Sequence, residues 1–187
     1  MLLDISFLDD STRPKAPKLE NLAPHQRAAG EHLKDVHDNL RRNTKVLRAM
    51  IDQIMDGQKT AEDVQREAEA LTMVHNFRRF GNLCGQHCQI VHGHHSLEDQ
   101  ALFPALSAKG EAWKKVVDRL IAEHEVVHAL LVKLIGALNV LVQDPNAANF
   151  DDAVEVNDAL ERVLLSHLGY EEDSIGDALG YFRIMGG

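Results

Sequence analysis

Residues 77–105 have the sequence FRRFGNLCGQHCQIVHGHHSLEDQALFPA, and this stretch predicts the fold. Along it, apolar and ligand-type residues recur three and four positions apart, which is the repeat of one face of a helix packed in a bundle. The residues of this stripe are Phe77, Phe80, Cys84, His87, Val91, His94, Glu98, Ala101 and Ala105. The stretch therefore predicts a long helix whose core-facing side carries imidazole and carboxylate groups.

Similar patterns predict three further helices, and no segment shows the alternation of a strand. The predicted helices are 24–55, ended by Gly57; 60 to about 108, opened by a capping box at Thr60 and Asp63; about 111–143; and a fourth to about residue 172, capped by Asp151 or Asp152. Four amphipathic helices joined by short turns predict an all-α, up-down antiparallel four-helix bundle. We expect this bundle to span 21–175, after an extended N-terminal arm over 1–20 and before a C-terminal tail over 176–187.

The predicted second helix is too long for its partner. About 20 residues separate His37 from Gly57, whereas 37 residues separate Gly57 from His94. An overlong or broken second helix is therefore expected, in which residues 60–74 overhang the bundle, bend away or form a separate helix.

Composition excludes some classes of partner. The formal net charge is −9, and binding to nucleic-acid phosphates needs a basic face. No apolar run approaches the roughly 20 residues that cross a bilayer, and the acidic N-terminus does not resemble a signal peptide. Cys84 and Cys88 have the spacing of neither a redox CxxC nor a disulfide framework. Interpreted as reduced thiols, they predict a cytoplasmic protein without nucleic-acid or membrane partners.

The 11 histidines are the unusual feature of the composition. Three pairs of ligand-type residues share a spacing of four, which places both members of a pair on one helix face. The pairs are His94 with Glu98, His124 with His128, and His167 with Glu171. Each pair lies on the apolar stripe of its helix. Because a helix rises 1.5 Å per residue, the distances from the pairs to the turns between the helices bring all three pairs to the same height in an antiparallel bundle. Buried imidazoles and carboxylates are costly unless they are paired or bound to metal. Together with a histidine on the first helix, the predicted metal site consists of His37, His94, Glu98, His124, His128, His167 and Glu171.

Four segments carry a resemblance to a known family. They are HDNLR at 37–41, HHSLEDQALFP at 94–104, HEVVH at 124–128 and HLGYEE at 167–172. In this order they resemble the bacterial hemerythrins that have a hemerythrin HHE cation-binding domain. The resemblance implies a four-helix bundle with two non-haem irons, bridged by carboxylates and by a hydroxide or oxo group. It assigns one iron to His124, His128 and His167, the other to His37 and His94, and the bridges to Glu98 and Glu171.

Donor chemistry is consistent with that assignment, because imidazole and carboxylate both suit iron. Five imidazoles, two bridging carboxylates and one bridging hydroxide fill about 11 of the 12 positions of two octahedra. The open position predicts a small ligand such as O2, NO or peroxide, bound for oxygen or redox sensing, storage or detoxification. The alternative is a di-iron oxidoreductase that turns over peroxide, NO or an organic substrate.

Several ligand assignments stay open at the level of sequence. Glu172 competes with Glu171 as the second bridge, and His95 with Asp99 forms another pair at the same spacing. His87 lies on the same stripe and is a candidate for an additional ligand.

The segment His124-Glu125-Val126-Val127-His128 also matches the HExxH motif of zinc hydrolases. That motif fixes only three positions. A zinc hydrolase would leave His37, His94 and the other ligand-type residues unexplained, so we keep it as a remote alternative.

Overall fold

The computed structural model describes residues 4–59 and 69–184 of the 187-residue chain. Within these ranges, the side chains at positions 50, 53–54, 56–59 and 69–82 are not described. The predicted capping box at Thr60 and Asp63 lies outside the described residues, and the side chains of Phe77 and Phe80 do as well.

Four long helices form the fold, and the described residues contain no strand. They are α1 (Pro24–Lys59), α2 (Glu69–Leu97), α4 (Glu111–Gln143) and α5 (Ala147–Tyr181), with a π-helical turn (Glu98–Leu102) and the short α3 (Phe103–Ser107) following α2. Helix α1 packs on α5 and α2, and α4 packs on the same two helices. The all-α four-helix bundle predicted from the hydrophobic stripes is confirmed.

Two apolar clusters fill the interior, and a layer of polar residues separates them along every long helix. The larger cluster includes Leu40, Val91, Leu130 and Leu164, one from each long helix. The smaller cluster, near the other end of the bundle, includes Phe103. The polar residues between the clusters are buried in the middle of the bundle, where only mutual contacts or a bound ion can satisfy them.

The π-helical turn changes which side of the second helix faces the core. The backbone N–H of Phe103 donates to the carbonyl oxygen of Glu98, five residues earlier. Pro104, which has no N–H to donate, follows directly. The buried positions therefore step from Glu98 to Phe103 and Leu106, and Ala101 is exposed. The predicted stripe, which assumed an unbroken α-helix through Ala101 and Ala105, is wrong beyond Glu98.

Helix α1 continues through Gly57 to Lys59, two residues beyond the predicted stop. Helix α2 begins at Glu69 in the described residues, so the region 69–74 belongs to it. Helix α1 thus extends 22 residues past His37, and α2 extends 25 residues before His94. The described parts of the two helices have nearly equal lengths on this side of the polar layer. Residues 60–68, the larger part of the segment predicted to overhang, bend away or form a separate helix, lie outside the described residues.

Helix α5 is longer than the sequence indicated at both ends. It begins at Ala147, and the side chain of Asn146, rather than Asp151 or Asp152, accepts from the N–H of Asn149 at 3.0 Å. It runs to Tyr181, so the boundary predicted at 175 falls inside a helix whose last turns are buried in the smaller cluster.

The N-terminal arm, residues 4–20, lies against the bundle and contains a short 3-10 helix (Asp10–Thr12). Tyr170 donates its hydroxyl proton to the carbonyl oxygen of Pro14 at 2.9 Å. Ile5 packs against the larger cluster and Leu19 against the smaller one. The arm is therefore docked along the bundle.

Helix α4 is apolar enough in length and composition to cross a membrane, with a mean hydropathy of 1.9 in its most apolar window. Its buried side supplies leucines and valines to both apolar clusters. A core helix of a bundle passes the same test, so this feature is weak evidence for a membrane.

Helices α1 and α5 approach closely at a glycine pair, and this contact gives a mutational prediction. A Cβ atom at Gly30 would lie 2.8 Å from the backbone carbonyl of Gly176, whereas one at Gly176 would lie 3.6 Å from the Cα of Gly30. We expect Gly30→Ala to lower the free energy of unfolding by about 1–3 kcal/mol, because two backbones must separate. Gly176→Ala should be neutral or stabilising by roughly 0.5 kcal/mol, because alanine favours a helix interior. Thermal unfolding of both variants checks this, and equal losses would contradict it.

Candidate metal centre

The polar layer brings together side chains from all four long helices. One group consists of His37, His94, Glu98 and Glu171, and the other consists of His95, His124 and His167. Within each group the candidate ligand atoms all lie within 4.8 Å of one another. Every member is buried apart from His94, whose side chain is 10% exposed.

Six of the seven residues predicted as ligands meet in this layer, and His128 does not. The buried line of α4 passes through Leu120, His124, Val127 and Leu131, so His128 falls outside it and is exposed. His95 takes the corresponding place in the second group. The sequence left His95 open as an alternative to His94, and the core-facing side of α2 carries both histidines.

Two carboxylates link the groups. The Oε1 atom of Glu98 lies 3.2 Å from Nε2 of His94, and its Oε2 atom lies 3.7 Å from Nε2 of His124. The Oε2 atom of Glu171 lies 3.5 Å from Nε2 of His37 and equally far from Nε2 of His167. All four carboxylate oxygens are buried without a hydrogen-bond partner in the described part of the chain. Each carboxylate therefore lies between the two groups of histidines.

A second set of carboxylates lies behind three of the histidine rings. The Nδ1 atom of His37 is 2.9 Å from Glu172, and Nδ1 of His124 is 2.8 Å from Asp99. Such contacts fix the proton on Nδ1 and leave the lone pair of Nε2 directed at the centre. Glu172, the alternative to Glu171 at the level of sequence, therefore lies behind the His37 ring and outside the two groups.

Glu123 performs the same role for His167, at 3.1 Å from its Nδ1 atom. Arg13 of the arm and Arg119 of α4 both donate to Glu123, at 2.8 and 2.6 Å. Burial alone would raise the pKa of Glu123, but hydrogen bonds from His167 and the two arginines lower it to about 2. Sequence reasoning missed this arrangement, because nothing in the sequence shows that Arg13 folds back over 110 residues of chain.

The distances between nitrogens show that a cation fits. The Nε2 atoms of His124 and His167 are 3.0 Å apart, and those of His37 and His94 are also 3.0 Å apart. Because His124 and His167 each have a carboxylate at Nδ1, two lone pairs face each other with no proton between them. Two bonds of about 2.1 Å at a right angle would span this distance. The nitrogens therefore fit adjacent positions on one octahedral ion.

Residues 28–179 match the family model for the hemerythrin HHE cation binding domain, which covers most of α1 through α5. The chain belongs to the hemerythrin family. No curated protein matches the chain, and no solved structure matches it. The matched region contains both groups of ligand-type residues, so the cation-binding domain of this hemerythrin is the bundle itself.

Burial favours the neutral form of the His37, His94 and His124 imidazoles, which is the form that binds metal. It lowers the pKa of His37 and of His94 to about 3, and that of His124 to about 2, with neighbouring histidines adding to the effect. Burial has the opposite effect on the carboxyls of Glu98 and Glu171. It raises the pKa of both Glu98 and Glu171, and the charge of Glu171 raises that of Glu98 further.

Metal loading of the metal-free hemerythrin at neutral pH should therefore release protons. Because burial raises the pKa of both carboxyls, we expect the metal-free Glu98–Glu171 pair to hold a proton at pH 7, whereas both carboxyls must be ionised to bind metal. We expect the release of about one proton per chain, and an affinity that falls as the pH is lowered because protons then compete with metal. Calorimetric titration in buffers with different ionisation heats measures the release. Identical heats in every buffer would contradict it.

The remaining interior histidine and cysteines lie outside the centre. His87 is buried, and its Nε2 atom is 3.4 Å from the hydroxyl of Thr44, so the structure does not bring it to either group. Burial raises the pKa of Cys84 and gives Cys88 a pKa of about 11, which makes both thiols poor nucleophiles.

Proposed function

We propose that this hemerythrin domain binds two irons at its carboxylate-bridged centre and uses them to bind O2 or a related small ligand such as NO or peroxide. One observation supports this most directly. Two pairs of facing Nε2 atoms, each 3.0 Å apart, flank four carboxylate oxygens that have no other partner in the described residues. Such a donor set is costly to bury unless cations occupy it.

The ligand set that we propose replaces His128 by His95 and otherwise keeps the predicted residues. His37 and His94 would hold one ion, and His95, His124 and His167 the other. Glu98 and Glu171 would bind both. The number of donors is unchanged from the sequence-based prediction, so one position remains open for a small ligand.

When bound, the irons would supply redox chemistry and a site for the small ligand. The chain itself orients the imidazoles through the carboxylates at their Nδ1 atoms. Phe103 stacks on the ring of His124, with the centroids 5.3 Å apart, and helps to exclude water from that side. These features suit sensing, storage or detoxification of a small diatomic ligand or peroxide.

A di-iron oxidoreductase is the alternative, and one observation favours it. Asp99 contacts Nδ1 of His124, and its side chain is 38% exposed. The carboxylate thus connects a buried ring with solvent, which is the position of a group that delivers protons during turnover. Reversible binding does not need such a group.

Anaerobic reduction followed by addition of O2, NO or peroxide separates the two functions. Reversible binding predicts a stable new absorption spectrum that returns to the reduced spectrum under vacuum. Turnover predicts repeated consumption of oxidant without that stable species. A reduced, iron-loaded protein whose spectrum responds to none of the three ligands would contradict the proposal.

The zinc-hydrolase alternative lacks support in the geometry. His124 points to the buried layer, whereas His128 is exposed and belongs to neither group of ligand-type residues. The two histidines of the HExxH segment therefore do not converge on one ion.

A further inference from the structure

A groove between α2 and α4 leads from the surface to the buried centre. Its cavity has a volume of about 260 Å³. His92, Glu125 and His128 line its outer part, and His95 and His124 line its inner part. The groove thus contains imidazoles at both its ends, and the proposed metal centre uses only the inner ones.

The outer histidines come from different helices and face each other. The ring centroids of His92 and His128 are 5.2 Å apart, with the planes tilted by 40°. Both residues are exposed, and so is Glu125, one turn before His128 on α4. Two imidazoles and a carboxylate are a donor set for zinc or ferrous ions, with water completing the coordination.

His95 connects the two ends of the groove. It is 5% exposed, and its Nε2 atom has no hydrogen-bond partner in the described part of the chain. Its ring stacks on that of His124 with centroids 3.8 Å apart and planes within 8°. An ion in the groove would therefore meet an unpaired imidazole before it reached the bridging carboxylates.

The charge of the groove favours cations. Two carboxylates, those of Asp99 and Glu125, both line it. A cleft lined by charges of one sign concentrates counterions near its mouth.

We propose that His92, His128 and Glu125 form a divalent-cation site at the mouth of this groove, from which ions pass to His95 and the buried centre. The outer site rests on the contact between the His92 and His128 rings and on the position of Glu125 in the same groove. It rests on the proposed function only for the destination of the ions. His128 then acts in delivery and not as a resident ligand of the centre.

Calorimetric titration of the iron-loaded protein with Zn²⁺, with released iron measured in parallel, tests the outer site. We expect one Zn²⁺ per chain beyond the bound iron. His128→Ala and His92→Ala should each weaken this binding at least tenfold while the iron content is retained. His32→Ala, an exposed histidine of α1, is the matched control and should leave both unchanged. An absent additional Zn²⁺, or binding unaffected by these variants, would overturn the site.

Uptake of Fe²⁺ by the metal-free protein tests delivery. The His92→Ala, His128→Ala double variant should take up iron several-fold more slowly but reach the same final content. An unchanged rate refutes delivery, and a loss of final iron in His128→Ala would place His128 in the buried centre. The outer site and the proposed function can fail separately. A protein that binds Zn²⁺ at the outer site but never binds two irons would support the outer site and contradict the proposed function.

Discussion

Removal of the metal should lower the melting temperature of this protein by about 10 °C or more. A ligand present at about 1,000 times its dissociation constant stabilises the native state by roughly 4 kcal/mol, and each kcal/mol shifts the melting of a chain this long by about 2–4 °C. Without ions, the oxygens of Glu98 and Glu171 are buried without partners. Thermal melting of the loaded and chelated protein, followed by circular dichroism, measures the shift.

The metal-free chain should nevertheless remain helical, because two apolar clusters hold the helices on either side of the polar layer. Among the described residues of α1, His37 is the one in the candidate metal groups, so His37→Ala should increase hydrogen exchange most in that helix. The matched control is again His32→Ala on the exposed side of α1. Identical melting of the loaded and metal-free protein would show that metal and fold are not coupled.

Replacement of Glu98 by alanine should remove more metal than any change to its neighbour Asp99. The two oxygens of Glu98 face different histidine groups, so on the proposed ligand set Glu98→Ala would take a ligand from both ions at once. We expect the iron content to fall from about two per chain to well below one. Asp99 supports His124 from behind, so Asp99→Ala should weaken affinity by about 10–100-fold and still load at saturating iron. Elemental analysis after loading and desalting measures both.

Thermal melting of the same variants without metal shows whether a loss of iron comes from misfolding. Glu98→Ala removes a buried carboxylate without partners, so the metal-free variant should melt no lower than the metal-free parent. In a second comparison of the same kind, Glu171→Ala should lose more iron than Glu172→Ala. A greater loss of iron in Asp99→Ala than in Glu98→Ala would show that the bridge has been assigned to the wrong residue.

The sequence predicted those features that repeat along a helix. Helix α4 has the bounds expected from its stripe and its flanking Gly110 and Asp144. Residues separated by four positions on such a stripe remain together, which is why His94 and Glu98, like His167 and Glu171, meet in the polar layer.

Features that depend on contacts distant in sequence were not predictable in this way. The choice between His95 and His128 depends on how α2 and α4 rotate against each other, and both satisfy the same spacing. The contact of Arg13 with Glu123 depends on the path of the arm, which has no periodicity. The cytoplasmic location stays a prediction from the two thiols.

The π-helical turn at Glu98–Leu102 means that the second helix contains one residue more than an α-helix needs to join its two ends. A deletion of one residue within this turn would let the backbone close as a regular α-helix, and the chain would gain ordinary hydrogen bonding there. The same deletion would turn Phe103 and Leu106 by about a quarter of a revolution relative to Glu98. In a comparison of related chains, a one-residue gap at this position would therefore mark a change of core register and of the wall beside His124.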